Sequence, residues 1–462
     1  MRLGCLTFLL LGLAMLSMQH DAQLDFRMAH CAARCLVEHC DPYKQSDVMR
    51  IYREEGATLP TTPADIATLD FETRYIYLPT VFTVMLPLSL VPFAVAKMTW
   101  IVVIAASFIF ATFLMWNLAA DYAPLLSAAL LCFYLANSGS LISAGNPAGL
   151  CVSLCAIAVW CFFRERFVVA GILCLAASLA LKPHDSGLVW LYFLLAGGTY
   201  RRRAVQTFAV LVGATLPIVL WLTYIAPRWT QEMRLNVVAL SLRGGVSDPG
   251  PASVLHRGTF MITDLQAVFS IFWDNPHFYN LASYALCGAL LLTWMLVTLR
   301  TRVETHKTWL AISSIAALTL LPVYHRQYDA RLIILTIPAC AWLWARGGLT
   351  ARVALLINSI GFILTADLPW AFFLALLPKL HMSTTGVSGY LLIAMLAFPV
   401  PLILLAMAVF YLRIYIKQSF ESVPSPDPSS LRRRSHIYNE LAAHQPCGAS
   451  NHKRLCNAPE IL

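Results

Sequence analysis

The amino-acid sequence predicts an all-α, polytopic membrane protein, and three observations carry that reading. Hydrophobic residues make up 59% of the 462 and charged residues 12%, about half the roughly 25% charged share of a soluble globular chain. Apolar stretches near the ~20 residues that cross a bilayer as a helix recur along the chain. Basic residues collect at alternate connections between them, as the positive-inside rule requires. A water-soluble enzyme, a disordered chain and a disulfide scaffold are excluded. Because the basic residues mark the ends of spans, the +9 net charge reads as topological and not as a nucleic-acid surface.

The predicted spans fall at 3–18, 80–96, 99–118, 122–138, 147–163, 168–182, 186–199, 204–225, 278–299, 308–323, 331–345, 353–378 and 388–412, with 353–378 interrupted by Asp367-Leu368-Pro369. From residue 164 onward, every second connection carries basic residues: Arg164 and Arg166, Arg201–Arg203, Arg300, Arg302 and Lys307, Arg346 and Arg352, Arg413 and Lys417. These 12 cations face two acids, Glu165 and Glu304, which places those connections in the cytoplasm. The outside connections are then 182–185, the long stretch 226–277, 324–329 and 379–387, together with Gly145-Asn146.

If Arg2 keeps the N-terminus inside, the loop 20–76 is also outside, and parity then forbids one of the three segments between it and residue 145 from crossing. Residues 80–96 carry Pro87 and Pro92 behind Pro79 and are expected to be broken or re-entrant, since proline interrupts a helix and irregular backbone at membrane depth needs cover. The first span also fits a signal peptide, but no small-x-small cleavage site follows it. The chain thus divides into a transmembrane domain over 1–417 and a Pro/Ser-rich, then basic, tail over 418–462, expected to be a disordered cytoplasmic extension.

Cys132, Cys151, Cys155, Cys161, Cys174, Cys287 and Cys340 lie in spans, where a thiol is a small apolar side chain. Cys31, Cys35 and Cys40 cluster with His30 and His39 in the first outside loop. Their spacing matches no closed zinc pattern, and the outside location favours a disulfide or plain packing.

An ionisable group is costly at the bilayer centre, so membrane enzymes hold polar chemistry at the mouth of the bundle. The unusual polar residues here gather on the outside face: Asp25, Asp41, Tyr75, Tyr77, Asn146, Lys182, His184, Asp185, Arg243, His256, Arg257 and the run Tyr324-His325-Arg326-Gln327-Tyr328-Asp329-Ala330-Arg331. Asp25 stands just beyond the first span, where a carboxylate can act as general base or can cap a short helix expected over 26–39. Asp41-Pro42-Tyr43 reads as the turn ending that helix. His325, Arg326 and Arg331 can form a cation cluster for a phosphate, or a salt-bridged turn with Asp329 neutralising an arginine and Arg331 snorkelling. Lys182 either snorkels to headgroups or points into a cavity. Asn146 sits in Gly145-Asn146-Pro147, a polar start to the next span.

In order, these pieces resemble the polyprenyl-phosphate-dependent glycosyltransferases of the GT-C superfamily, in particular glycosyltransferase family 87. QLDFRMAHCAARCLVEHCDPY looks like the family's DF…DPY first loop. RYIYLPTVFTVMLPLSLVPFAVAKMTW, AGNPAGL, FRERFVVAGILCLAASLALKPH and LLPVYHRQYDARLIILTIPA are similar to its later motifs, over roughly residues 20–345. Three positions depart: Met28-Ala29-His30 lacks the family's tyrosine, Tyr77-Leu78-Pro79 replaces Tyr-Pro-Pro, and Asn146 replaces glutamine.

The resemblance implies a GT-C-like bundle of about 11–13 transmembrane helices with a helical first periplasmic loop, in an inner membrane, its site facing the periplasm. It implies an inverting transfer of a sugar, mannose foremost, from a polyprenyl-monophosphate donor to a hydroxyl of a lipid or glycan acceptor. Asp25 would be the base, and His325, Arg326, Lys182 and Arg331 would receive the phosphate. Tyr324 and Tyr328 would contact the sugar, Asn146 would share the donor site, and Asp41, Tyr43 and Tyr77 are further first-loop candidates. A lipid monophosphate is already an activated donor, so no metal and no other cofactor is expected. The rival reading is a transporter or flippase of lipid-linked sugars, whose polar groups would line a path through the membrane.

Overall fold

In the computed structural model the described residues are 1–18, 23–56, 69–71, 73–245, 247–253, 262–376 and 395–420. The tail from 421, the connection 379–387, His256 and Arg257 lie outside them. Among the described residues every regular element is helical, as uninterrupted apolar runs dictate when a backbone must satisfy its own hydrogen bonds.

The chain begins with α1 (Arg2–Met18), α2 (Leu24–Val37) and α3 (Gln45–Glu54), then α4 (Phe82–Ser89) and α5 (Phe93–Ala119). Next come α6 (Pro124–Ala136), α7 (Ser140–Ala144), α8 (Ala148–Phe163), α9 (Val168–Leu181), α10 (Pro183–Ala196) and α11 (Gly198–Ile225). The second half holds α12 (Trp229–Ser241), α13 (Leu265–Phe272), α14 (Pro276–Arg300), α15 (Thr305–Leu318), a 3-10 stretch (Asp329–Thr336), α16 (Ile337–Arg346), α17 (Gly348–Thr365), α18 (Asp367–Leu376) and α19 (Pro399–Phe420). Among the described residues, six helical stretches are long and apolar enough to cross a membrane: α5, α6 with α7, α11, α14, α17 and α19.

The segment expected over 80–96 is split at Pro92. Residues 93–96 belong to α5, and α4 before them has eight residues, about 12 Å, too short to cross. The segment expected over 331–345 opens as a 3-10 stretch and continues as α16, and the one over 353–378 breaks at Ala366 into α17 and α18. The first-loop helix spans 24–37 and not 26–39, so Asp25 lies in its first turn and Gln23 stands at the N-cap. The capping role weighed for Asp25 is thereby overturned.

At one end of the bundle the Arg164 guanidinium meets the Asp121 carboxylate at 2.9 Å, and Arg203 meets Glu165 at 3.0 Å. The connections at 120–123 and 164–167 and the foot of α11 therefore share one arginine-rich end. Helices α8, α9 and α10 run from that end as a packed group and reach Asn146 and Lys182 at the other. They contain only 16, 14 and 14 residues.

Close contact fixes α1, and hydrogen bonds the start of α2, against α7. A Cβ on Gly12 would come within 2.5 Å of the Ile142 side chain, and one on Gly139 within 2.8 Å of the Gly12 nitrogen. The Gln23 backbone N–H donates to the Ser143 carbonyl at 2.9 Å, and its side-chain amide donates to the Ile142 carbonyl at 3.0 Å. Gly145 then turns the chain at φ 62°, a left-handed conformation suited to glycine, and the Trp100 indole N–H donates to its carbonyl at 2.8 Å. Asp25 and Asn146 are thus positioned by the same few residues.

Candidate functional site

Opposite the arginine-rich end, five separate connections close around a cavity of about 200 Å³. Seven candidates from the sequence line it: Asp25, Tyr77, Asn146, Lys182, Tyr324, Arg326 and Tyr328. Apart from Asp25, each makes a direct contact with another of them. The Asn146 amide donates to the Tyr328 hydroxyl at 2.9 Å and to the Tyr77 hydroxyl at 3.1 Å, while its oxygen accepts from the Ala148 N–H at 2.8 Å. Burial holds the Tyr77 and Tyr328 phenols well above their ordinary pKa, so both remain hydrogen-bond donors.

Lys182 does not snorkel. It is 5% exposed and ion-paired with Asp329, with Asp185 Oδ2 at 3.7 Å and the Tyr328 ring centroid at 5.5 Å. Burial opposes its charge, but Asp185 and Asp329 outweigh that and hold the ammonium above its ordinary pKa. Asp329 also accepts from the Arg326 N–H at 2.8 Å, which tightens the turn between them. The Arg326 guanidinium bonds the Tyr324 hydroxyl and lies 5.6 Å from the Phe71 ring centroid. Its carboxylate neighbour in sequence is therefore committed to Lys182, and the arginine stays available to the cavity.

A second cavity, about 190 Å³, adjoins the first. Asp25, Phe71, Arg326 and Tyr328 line both, so these four side chains form the shared wall. Beyond the wall the second cavity adds Gln23, Ser140, Ser143 and Gln327 among apolar residues such as Met15 and Leu24. Its own polar groups are uncharged, whereas Lys182 and Asp329 belong to the first.

Four candidates stand behind the cavity. His325 is fully buried; its Nδ1 donates to the Val323 carbonyl at 2.8 Å and its Nε2 faces Asp185 Oδ1 at 3.1 Å. It supports the wall and does not face the space a phosphate would take. Arg331 is also fully buried and lines neither cavity. Its guanidinium pairs with Asp367 and bonds the Asn137 carbonyl at 3.2 Å and the Ser140 hydroxyl at 3.3 Å. The phosphate role and the snorkelling role expected of Arg331 both yield to this internal ion pair. Tyr43 donates its hydroxyl to the Tyr77 carbonyl at 2.7 Å, and Asp41 Oδ1 accepts from the Tyr43 N–H at 2.9 Å. The Asp-Pro-Tyr turn thus props up Tyr77 without touching the cavity.

Three charged or titratable residues belong to the site beyond the chosen candidates: Asp329, His184 and Asp185. Their signal was Lys182 itself, because a lysine between two short apolar spans needs a nearby carboxylate if it is not to reach water. Phe71 gave no signal. In the first loop, Cys35 and Cys40 form a disulfide, which settles the cluster against a three-cysteine metal site. No family model matches the chain, and neither does any curated protein or solved structure.

Proposed function

We propose that this protein is a membrane glycosyltransferase of the family 87 type. It moves a sugar, with mannose the first candidate, from a polyprenyl-monophosphate donor to a hydroxyl of a lipid or glycan acceptor. The observation that carries this reading is Asp25 in the wall between two cavities. A carboxylate at such a junction can reach a nucleophile on one side and a donor on the other, the geometry an in-line displacement needs.

In this reading the donor headgroup occupies the cavity bearing Lys182 and Arg326, and the acceptor hydroxyl approaches through the neutral second cavity. Asp25 takes the hydroxyl proton, the acceptor oxygen bonds to the anomeric carbon, and the bond from that carbon to the phosphate oxygen breaks. The polyprenyl phosphate departs with the electron pair, stabilised by Lys182 and Arg326. Attack opposite the leaving group inverts the anomeric centre. Asn146, Tyr77 and Tyr328 form a hydrogen-bonding edge for sugar hydroxyls. Placement at the periplasmic face of a bacterial inner membrane belongs to the same proposal; the Cys35–Cys40 disulfide supports it, since disulfides persist in oxidising compartments.

A transporter would need polar groups spread along a path. Here the cavities share one wall at one end of the bundle, which favours an enzyme. The test is purified protein supplied with radiolabelled polyprenyl-phosphate sugars and a lipid acceptor extract. Transfer should fall by about 10²–10⁴-fold in Asp25→Asn. Undiminished transfer removes Asp25 as the base, and movement of lipid-linked sugar across vesicles with no transfer establishes the transporter instead.

A further inference from the structure

Behind the first cavity, His184, Asp185 and His325 bring one ligand atom each to within 4.8 Å of one another. Asp185 Oδ1 lies 3.1 Å from His325 Nε2 and 3.6 Å from His184 Nε2. These spacings bracket the edge of about 3.4 Å in a tetrahedron with ~2.1 Å bonds, the geometry of zinc with imidazole and carboxylate ligands. Both Asp185 oxygens and His325 Nε2 are buried without a hydrogen bond of good geometry.

The tautomer points the same way. The Val323 carbonyl can only accept, so His325 Nδ1 carries a proton, and Nε2 faces the carboxylate across either a metal ion or a second proton. Such a backbone-anchored imidazole is the usual outer support of a metal-bound histidine. Two acceptors cannot face each other at this distance without a positive species between them.

We propose that His184, Asp185 and His325 bind a divalent, zinc-type transition-metal ion, with its fourth position open to the cavity that His184 lines. This departs from the expectation, drawn from the donor chemistry, that no metal takes part. Asp185 Oδ2 stays with Lys182 while Oδ1 serves the ion, and Asp329 offsets the lysine, so the ammonium does not exclude it.

Charge arithmetic supplies a reason for the ion. Lys182 and Arg326 contribute +2 and Asp25, Asp185 and Asp329 contribute −3, leaving −1 around a cavity proposed to take an anion. A divalent ion turns that into +1. This argument rests on the proposed phosphate donor; the ligand geometry does not.

The competing occupant is a proton on Nε2. Burial opposes the imidazolium, but Asp185 raises the His325 pKa, and a protonated His325 would bind no metal.

Cobalt(II) separates the two. Protein stripped with chelator in detergent is titrated with cobalt(II) beside His184→Ala and, as a control, His277→Ala. His184 has a side chain 42% exposed, so its removal leaves the core packing alone. Wild type and His277→Ala should bind one equivalent more than His184→Ala, with the visible bands of a four-coordinate site. Apart from His277, which the control removes, the histidines and cysteines elsewhere are common to all three and cancel. If His184→Ala fails to elute as a single species, His184→Gln takes its place. Equal uptake and equal spectra in wild type and variant, or no uptake at all, overturns the ion and leaves the imidazolium. No substrate is present, so a protein that binds cobalt and transfers no sugar refutes the glycosyltransferase alone.

Discussion

The Lys182 ammonium is paired with the Asp329 carboxylate across 147 residues of sequence. Lys182 is 5% exposed and Asp329 2%, and their contact ties the junction of α9 and α10 to the first residue of the 3-10 stretch.

Breaking a buried pair costs about 3–5 kcal/mol because the remaining charge is stranded. Lys182→Met should therefore lower stability by about that much, read from thermal or denaturant unfolding in detergent. Adding Asp329→Asn should recover part of the loss. A double variant no more stable than the single one would show that the two residues do not depend on each other.

Arg326 and Arg331 belong to one sequence motif but should respond oppositely. Arg331→Met strands Asp367 inside the protein and should cost about 3–5 kcal/mol, with the donor KM of the folded fraction unchanged. Arg326→Ala should leave stability nearly intact and raise donor KM at least tenfold, about 1.4 kcal/mol of lost binding. Steady-state kinetics on both variants decide it, and a raised donor KM in Arg331→Met would return that arginine to the site.

Asp264 caps α13 through the Ala267 N–H at 3.0 Å, and burial pushes its carboxyl from 3.8 up to about 6. His325 nearby pulls in the other direction without overcoming burial. The folded chain consequently binds more protons than the unfolded chain between about pH 4 and pH 6, and stability from this group falls as pH rises through that window. Above it the penalty is about 3 kcal/mol. Asp264→Asn removes the titration, so its stability relative to wild type should be greatest above pH 6 and converge below about pH 4. A difference that stays constant over the range refutes the assignment.

Ser247 lines the first cavity, so Ser247→Cys places a thiol at the mouth of the site. A membrane-impermeant maleimide added to intact cells should label it, and labelling only after the cytoplasmic side is opened would invert the proposed orientation.

Much of the helical plan was legible because apolar runs this long have one solution in lipid. The starts at Pro124, Pro183 and Pro276 follow proline's place at a helix N-terminus. The ends at Gly197 and Gly347 follow glycine's freedom at positive φ. The split at Pro92 was signalled by the prolines, but which half crossed was not, since Phe93–Ala96 is as apolar as what precedes it. Within the site, the lining residues were legible as polar interruptions at span ends. What separated Arg326 from Arg331 was not. In an eight-residue 3-10 stretch successive side chains turn by about 120°, and the partner that claims Arg331, Asp367, sits in another helix. Identity of residue alone could not tell a ligand-facing cation from a structural one.

Helices α8, α9 and α10 measure about 24, 21 and 21 Å at 1.5 Å per residue, against a hydrocarbon core about 30 Å thick. With their arginine-rich ends at one interface, their opposite ends stop about 6–9 Å short of the other. Set in a bilayer that way, Asn146 and Lys182, which flank these helices, would be recessed, and the cavity would form a well below the headgroup plane. Depth of that well is set by the lipid as much as by the protein. A thicker bilayer buries the mouth further and lengthens the reach demanded of any water-soluble partner, whereas a lipid-borne headgroup descends with its own chain. Hydrophobic mismatch would then act as a filter that favours ligands arriving from within the membrane over those arriving from water.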